Sequence, residues 1–374
     1  MKKRKMLFSS ICVGLGVLLS ACGVLPGGSS SSQSELFSSS TVSSSSIDNS
    51  SSSGDPHEHS YAAQVTLPTC TKQGYTTYTC SCGDSYVDDY VDPTGEHTYE
   101  NGVCSGCDGV EPAFELVDGY LYFGEYPQSL KASDVTVTET TNQNGYYLGS
   151  DNAWYAKIIG APMLTGYKFY NDEVITSGTE YYFKVEPIKW QILSDDGDTL
   201  KVVCASVLVN KQFNNVDSIG NNYKKSAIRS WLNGEFYNTA FSDLQQELIL
   251  TTTVDNSKAS TAYADNKYAC ENTEDKIYLL SYAEAYAITK SQSSSELRAR
   301  LATDYARALG VSIQTNANHY GAANWWLRSP HDKSSYQPNT DALYVTSIGS
   351  LSSNNTMVGT TSVGVVPALQ INIA

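Results

Sequence analysis

The sequence predicts an α+β fold with mainly antiparallel strands, preceded by a small cysteine- and histidine-stapled module and a disordered spacer. Two β-rich runs, Tyr181 to Leu193 and Leu200 to Val209, flank an Asp195-Asp196-Gly197-Asp198 turn and define a β-hairpin. Ile228, Trp231, Leu232 and Phe236 recur at helical spacing soon after it. The C-terminal part then returns to strand. A hairpin, then helices, then a β-rich end argue against a parallel sheet and for α+β.

The chain opens with Lys2, Lys3, Arg4 and Lys5 and an apolar stretch from Met6 to Leu19. That stretch is too short to span a bilayer and ends in small residues, as an export signal does. Residues 1–21 are therefore expected to be a signal peptide. Leu19-Ser20-Ala21-Cys22 resembles a lipobox. The resemblance implies lipidation at Cys22 and a membrane-anchored protein on the extracellular face, since acyl chains contribute about 0.8 kcal/mol per buried CH₂. An ordinary secretory signal is the alternative. Residues 22–54 read as a spacer, because 16 of the 25 residues from Ser29 to Ser53 are serine. Such a tract has almost nothing to bury and is expected to be a flexible coil.

The chain carries 24 basic and 39 acidic residues, for a net charge of −15. With no basic tract after the leader, nucleic acid is a poor partner. The 27 tyrosines suit an extracellular binding surface and suit β-sheet filling equally well.

Residues 55–109 form the small module. His57-Glu58-His59, Cys70, Cys80-Ser81-Cys82, His97 and Cys104-Ser105-Gly106-Cys107 crowd into it. Fifty residues cannot hold a core unaided, so a staple is expected. Close cysteine pairs with histidines suit a structural, ribbon-like zinc site. Disulfides suit the oxidising compartment. Five cysteines are an odd number for disulfides alone, which favours zinc. The expected ligands are Cys80, Cys82, Cys104 and Cys107, with Cys70, His59 and His97 as competitors. This segment resembles a short Cys/His repeat of bacterial surface proteins.

Residues 110–374 form the large domain. Gly119 to Gly124 reads as its first strand, and Val135 to Ser177 as an irregular, Tyr-rich insertion with weak hairpins. Ser242-Asp243-Leu244-Gln245 and Ser281-Tyr282-Ala283-Glu284 fit capping boxes that open helices. Ser295 to Leu309 reads as a further helix stopped by Gly310. Trp325 to Arg328, Ala342 to Thr346 and Val365 to Ile373 read as closing strands.

The runs Ser226-Ala227-Ile228-Arg229-Ser230-Trp231-Leu232-Asn233, Trp325-Trp326-Leu327-Arg328-Ser329-Pro330 and Gly364-Val365-Val366-Pro367-Ala368-Leu369 carry a resemblance. With Tyr182 to Trp190 and Leu279-Leu280-Ser281, they resemble a domain-of-unknown-function family of bacterial surface proteins and lipoproteins. That family is distantly similar to the C-type-lectin-like fold shared with formylglycine-generating enzymes. The resemblance implies a lectin-like α+β domain and supplies no activity. Those enzymes use paired cysteines near the C-terminus, whereas Cys204 and Cys270 are the last two here. The oxidase chemistry is therefore not expected. The two thiols are either bridged or separate.

Gln337-Pro338-Asn339 resembles a sugar-selecting calcium tripeptide of lectins, without its Trp-Asn-Asp partner. Asp332, Asn339 and Asp341 are the candidate oxygen ligands for calcium and the candidate ligand-binding residues. His319 and His331 pair with no nucleophile and read as surface histidines. Arg328 reads as a buried arginine paired with a carboxylate. No catalytic constellation is legible. The expected function is a tethered protein that binds a surface glycan, peptide or protein, with an enzyme or a purely structural envelope protein as alternatives.

Overall fold

The computed structural model describes residues 58–95, 97–100, 103–107, 109, 114–214, 220–289, 296–332, 338–351 and 356–374. The chain divides into two units, Met1–His59 and Ser60–Ala374. The leader, Cys22 and the spacer lie outside the described residues. No described helix is long and apolar enough to cross a membrane.

The second unit opens with β1 (Tyr61–Thr66), β2 (Gly74–Cys80) and β3 (Ser85–Val91), an antiparallel sheet in the order β1-β2-β3. A two-stranded hairpin, β4 (Tyr99–Glu100) and β5 (Val103–Cys104), follows it. β1 and β3 are almost wholly exposed, so this sheet has little core of its own.

The main sheet has nine strands, all antiparallel to their neighbours. Its spine is β11 (Glu180–Asp195), which hydrogen-bonds three partners. These are β7 (Tyr120–Leu130), β10 (Trp154–Ile159) and β12 (Thr199–Cys204). β6 (Glu115–Val117) extends β7. β8 (Val137–Thr141) and β9 (Tyr147–Gly149) continue from β10, so the weak hairpins expected in this insertion are antiparallel pairs at the edge of the main sheet. Its strands lack an alternating pattern because an edge is wet on more than one side. Pro367–Asn372 and Ile277–Leu279 close the other edge beyond β12. The β11–β12 hairpin turns at Asp196-Gly197, where Gly197 takes φ +103°.

Short helices pack between the sheets. Ser226 caps α1 (Ala227–Trp231) through Arg229 N–H. The helix continues as a π-turn over Leu232–Phe236 into α2 (Tyr237–Ala240). Full capping boxes open α3 (Asp243–Leu248) at Ser242 and α4 (Tyr282–Ala287) at Ser281. Gly124, at φ +69°, leaves room for the Phe241 ring; a Cβ there would sit 2.4 Å from Phe241 Cε1.

The expected helix from Ser295 to Leu309 is broken. Arg300–Ala302 is a strand, and only α5 (Asp304–Ala308) is helical. Arg298 and Arg300 are buried and give their guanidiniums to carbonyls of Gly349 and Leu297, at 2.8 Å each. Burial of two arginines, Arg298 on Gly349 O and Arg300 also on Gln191 Oε1, overrides helical propensity.

Trp190, Trp325 and Trp326 are fully buried, and each indole N–H is satisfied, by Phe123 O, Arg298 O and Lys211 O respectively. Arg328 is buried among them. Its guanidinium donates to Glu284, to Leu279 O at 2.7 Å, to Asp255 O at 2.9 Å and to Asn256 Oδ1 at 3.1 Å. Glu284 also accepts from Lys201 Nζ at 2.6 Å and from Ser281 N–H at 2.8 Å. One carboxylate thus caps α4 and ties it to two strands.

Burial alone would raise the Glu284 carboxyl, but Arg328 and Lys201 outweigh it and hold the group down at about 2. A depressed folded pKa contributes stability that is complete above the unfolded value and lost as pH falls through the folded one. We expect on the order of 3 kcal/mol to disappear between about pH 4.5 and about pH 2. Urea midpoints measured across that range should fall in the wild type, and Glu284→Gln should flatten the profile. An unchanged slope in the variant would assign the acid sensitivity elsewhere.

Candidate metal centre

Four ligating side chains of the small module converge. Cys70 sits in the β1–β2 loop, which Thr94 N–H and Gly95 N–H hold by donating to Thr69 O and Cys70 O. Cys104 pairs with Tyr99 in the β4–β5 hairpin, and Ser105 N–H donates to Thr98 O just after it. The Cys104-x-x-Cys107 turn then folds back, with Cys104 N–H donating to Gly109 O at 2.7 Å. His97 enters from the preceding segment. The ligand atoms of Cys70, His97, Cys104 and Cys107 all lie within 4.8 Å of one another.

The distances match one ion's coordination shell. Cys70 Sγ and Cys104 Sγ are 3.7 Å apart. His97 Nδ1 is 3.4 Å from Cys104 Sγ and 3.6 Å from Cys107 Sγ. Zinc–sulfur bonds of about 2.3 Å and zinc–nitrogen bonds of about 2.05 Å at tetrahedral angles require about 3.8 Å between sulfurs and about 3.5 Å from nitrogen to sulfur. Cys70, Cys104 and Cys107 are free thiols.

The electrostatics fit a thiolate site. Burial pushes the Cys70 thiol up to about 11, with the Cys107 and Cys104 sulfurs adding to it. Burial pushes Cys104 the same way, but backbone N–H groups of Gly106 and Cys107 and the His97 ring outweigh it and bring the thiol to about 6. Cys104 thus ionises well before Cys70. The Cys104 sulfur at Nδ1 raises the His97 ring above its ordinary pKa; burial opposes this, and Glu247 reinforces it. A Cβ on Gly106 would meet Cys70 Sγ at 3.1 Å, so a glycine suits the tight turn.

The four ligands expected first are therefore divided. Cys104 and Cys107 join Cys70 and His97, whereas Cys80 and Cys82 do not. Cys80 ends β2, and its backbone N–H donates to Asp84 O across the β2–β3 hairpin tip. That pairing fixes the C-x-C pair at the tip, Cys80 buried and Cys82 exposed, with their sulfurs within 4.8 Å of each other. His59 is the last residue of the preceding unit. The residue that sequence reasoning missed is Glu247, whose carboxylate lies 2.9 Å from His97 Nε2. It stands 150 positions away in the sequence, and no local signal marks it.

The residues expected to bind calcium or another ligand sit in unlike surroundings. Asn339 is exposed, and its backbone carbonyl accepts from Asn221 N–H at 2.8 Å. Asp341 is buried at the start of the strand Asp341–Val345, and burial raises its carboxyl despite His331 and Thr340. Asp332 is half-buried with Oδ1 unpartnered. Gln337 lies outside the described residues. Among the described residues, no three His, Cys, Asp or Glu side chains meet at this loop. His331 is not a surface histidine: it is 2% exposed, neither ring nitrogen has a partner among the described residues, and its ring meets Tyr263 edge-on. Cys204 and Cys270 are separate thiols, and burial pushes Cys204 up to about 12.

Fold and site together define an α+β domain dominated by antiparallel sheet and joined to a small Cys₃His module. Residues 190–373, from the middle of β11 through the closing strand, match the family model described as Domain of unknown function (DUF6273). No curated protein and no solved structure matches the chain.

Proposed function

We propose that the chain is a lipid-anchored extracellular binding protein. Cys22 holds it on the outer face of the cell membrane, and the serine-rich spacer gives it reach. A structural zinc ion fixes the small module, and the lectin-like large domain binds a surface glycan, peptide or protein. The observation that carries this reading is the closed Cys70, His97, Cys104 and Cys107 set. Four protein ligands leave no position for a substrate, so the ion serves the fold.

Support for a ligand site comes from the loop at residues 331–341. Buried polar atoms left unsatisfied cost about 1–3 kcal/mol each. Both His331 ring nitrogens and Asp332 Oδ1 are in that state and are suited to a polar ligand. Asp332, Asn339 and Asp341 remain the proposed ligand contacts, with His331 added. Calcium enters only through their oxygens. The ends of this segment are built into the fold: His331 N–H donates to Asp341 O, and the Asn221 amide donates to the carbonyls of both. Substitution therefore tests the loop better than deletion.

The test is a screen of the purified chain on glycan arrays and cell-wall fractions, with a chelator and then with calcium or zinc restored separately. Specific binding that drops about tenfold or more in Asp332→Ala and Asn339→Ala would support the reading. Restoration by calcium would locate the cation in the loop, and restoration by zinc in the module. Binding to nothing on either surface would overturn it.

A further inference from the structure

We propose that Glu247 is the outer partner of the metal centre, and that metal binding clasps the small module onto α3. The inference rests on the zinc reading above and extends it to a residue within the family-matched region.

The two nitrogens of His97 face different partners. Nδ1 points at the sulfurs of Cys104 and Cys107, and Nε2 lies 2.9 Å from the Glu247 carboxylate. A neutral imidazole that gives its Nδ1 lone pair to a metal must carry its proton on Nε2. That N–H is where the carboxylate stands. A carboxylate, a histidine and a metal in this order fix the tautomer, orient the ring and make the nitrogen a better donor.

A second contact on the same helix face supports the clasp independently. Leu244 lies three positions before Glu247, so the two share one side of α3. Leu244 is buried, and the backbone at Gly109 runs between it and the metal ligand Cys107. A Cβ on Gly109 would stand 2.7 Å from Leu244 Cδ1 and 3.3 Å from Cys107 Sγ. α3 thus presents one apolar and one anionic side chain to the knuckle, and the Ser242–Gln245 capping box sets the start of the helix.

Glu247 is 44% exposed at its side chain, and His97 is 8% exposed. A half-exposed pair of this kind contributes little by itself. A bound ion changes that, because it locks the His97 ring in the orientation that Glu247 recognises. Linkage makes the effect mutual: the factor by which Glu247 strengthens metal binding is the factor by which metal strengthens the clasp. The placement of the module on the large domain is therefore metal-dependent.

The test compares the whole chain with Glu247→Ala and Glu247→Gln. Zinc affinity is measured by competition with a chromophoric chelator, and backbone hydrogen exchange is followed across Asp243–Leu248 with and without zinc. The exposed position of Glu247 lets both variants fold. We expect Glu247→Ala to bind one zinc about ten- to a hundredfold more weakly, and Glu247→Gln to fall between it and the wild type. Zinc should slow exchange across α3 in the wild type and not in Glu247→Ala. A wild-type chain that binds zinc while Glu247→Ala keeps the same affinity and the same α3 protection overturns the clasp alone. A wild-type chain that binds no zinc overturns the metal reading itself.

Discussion

Cys104→Ser is expected to abolish stoichiometric zinc binding and to unfold the module from Tyr61 to Cys107, while the nine-stranded sheet stays folded. The reason is the module's lack of a core. Its described buried apolar residues are Cys70, Cys80 and Cys104, and two of these belong to the Cys70, His97, Cys104 and Cys107 set. β1 and β3 expose nearly every residue, and the tyrosine contacts between the strands, such as Tyr78 stacked on Tyr86 at 4.9 Å, lie on a wet face. A structural zinc site in a domain this small contributes on the order of 10 kcal/mol, far more than three short strands supply. Serine cannot replace the Cys104 thiolate, whose sulfur is the soft donor that the ion needs. The two parts of the chain carry separate optical reporters. All five tryptophans lie between Trp154 and Trp326, and the module has tyrosines and none of them. Tryptophan fluorescence should therefore be preserved, while zinc content falls to background and module amides exchange freely. Retention of one zinc per chain by Cys104→Ser would remove this tetrad as the metal site.

The parts of the fold that were legible in the sequence are those whose cause is local. The Asp-Gly turn of the β11–β12 hairpin and the two serine capping boxes are set by residues within four positions of each other. Arg328 was legible too, because an arginine inside an apolar strand needs a carboxylate, and Glu284 supplies it. The misread segments have distant causes. Arg298 and Arg300 look like the polar face of a helix until Gly349, far along the chain, takes up one guanidinium. The Tyr-rich run from Val135 has no alternation because its strands form a sheet edge. At the metal centre, composition announced the chemistry, but the ligand set depended on which cysteines the hairpins turn inward. C-x-C at the tip of β2–β3 is held apart, whereas Cys104 and Cys107 fold back toward Cys70. His331 shows the converse: no motif marks it, and only the fold buries it with both nitrogens unpartnered.

Arg328→Met is expected to destabilise the large domain by about 3–5 kcal/mol without changing its zinc content, because it strands a buried carboxylate rather than merely deleting a contact. Glu284 would keep the Ser281 N–H bond and Lys201, but it would lose the cation that offsets its burial. Four acceptors also lose their donor at once: the Glu284 carboxylate, Leu279 O, Asp255 O and Asn256 Oδ1. They come from three separate stretches of chain, so the guanidinium ties the strand Trp325–Pro330 to α4, to the end of the strand Ile277–Leu279 and to the residues after the strand Thr252–Val254. Neutralising both partners should cost less than the sum of the single changes. Arg328→Met with Glu284→Gln is expected to recover part of the loss, with a coupling of at least about 1 kcal/mol. Urea denaturation followed by tryptophan fluorescence measures all four proteins of this cycle. A loss below about 1 kcal/mol in Arg328→Met would show that the arginine is not structural.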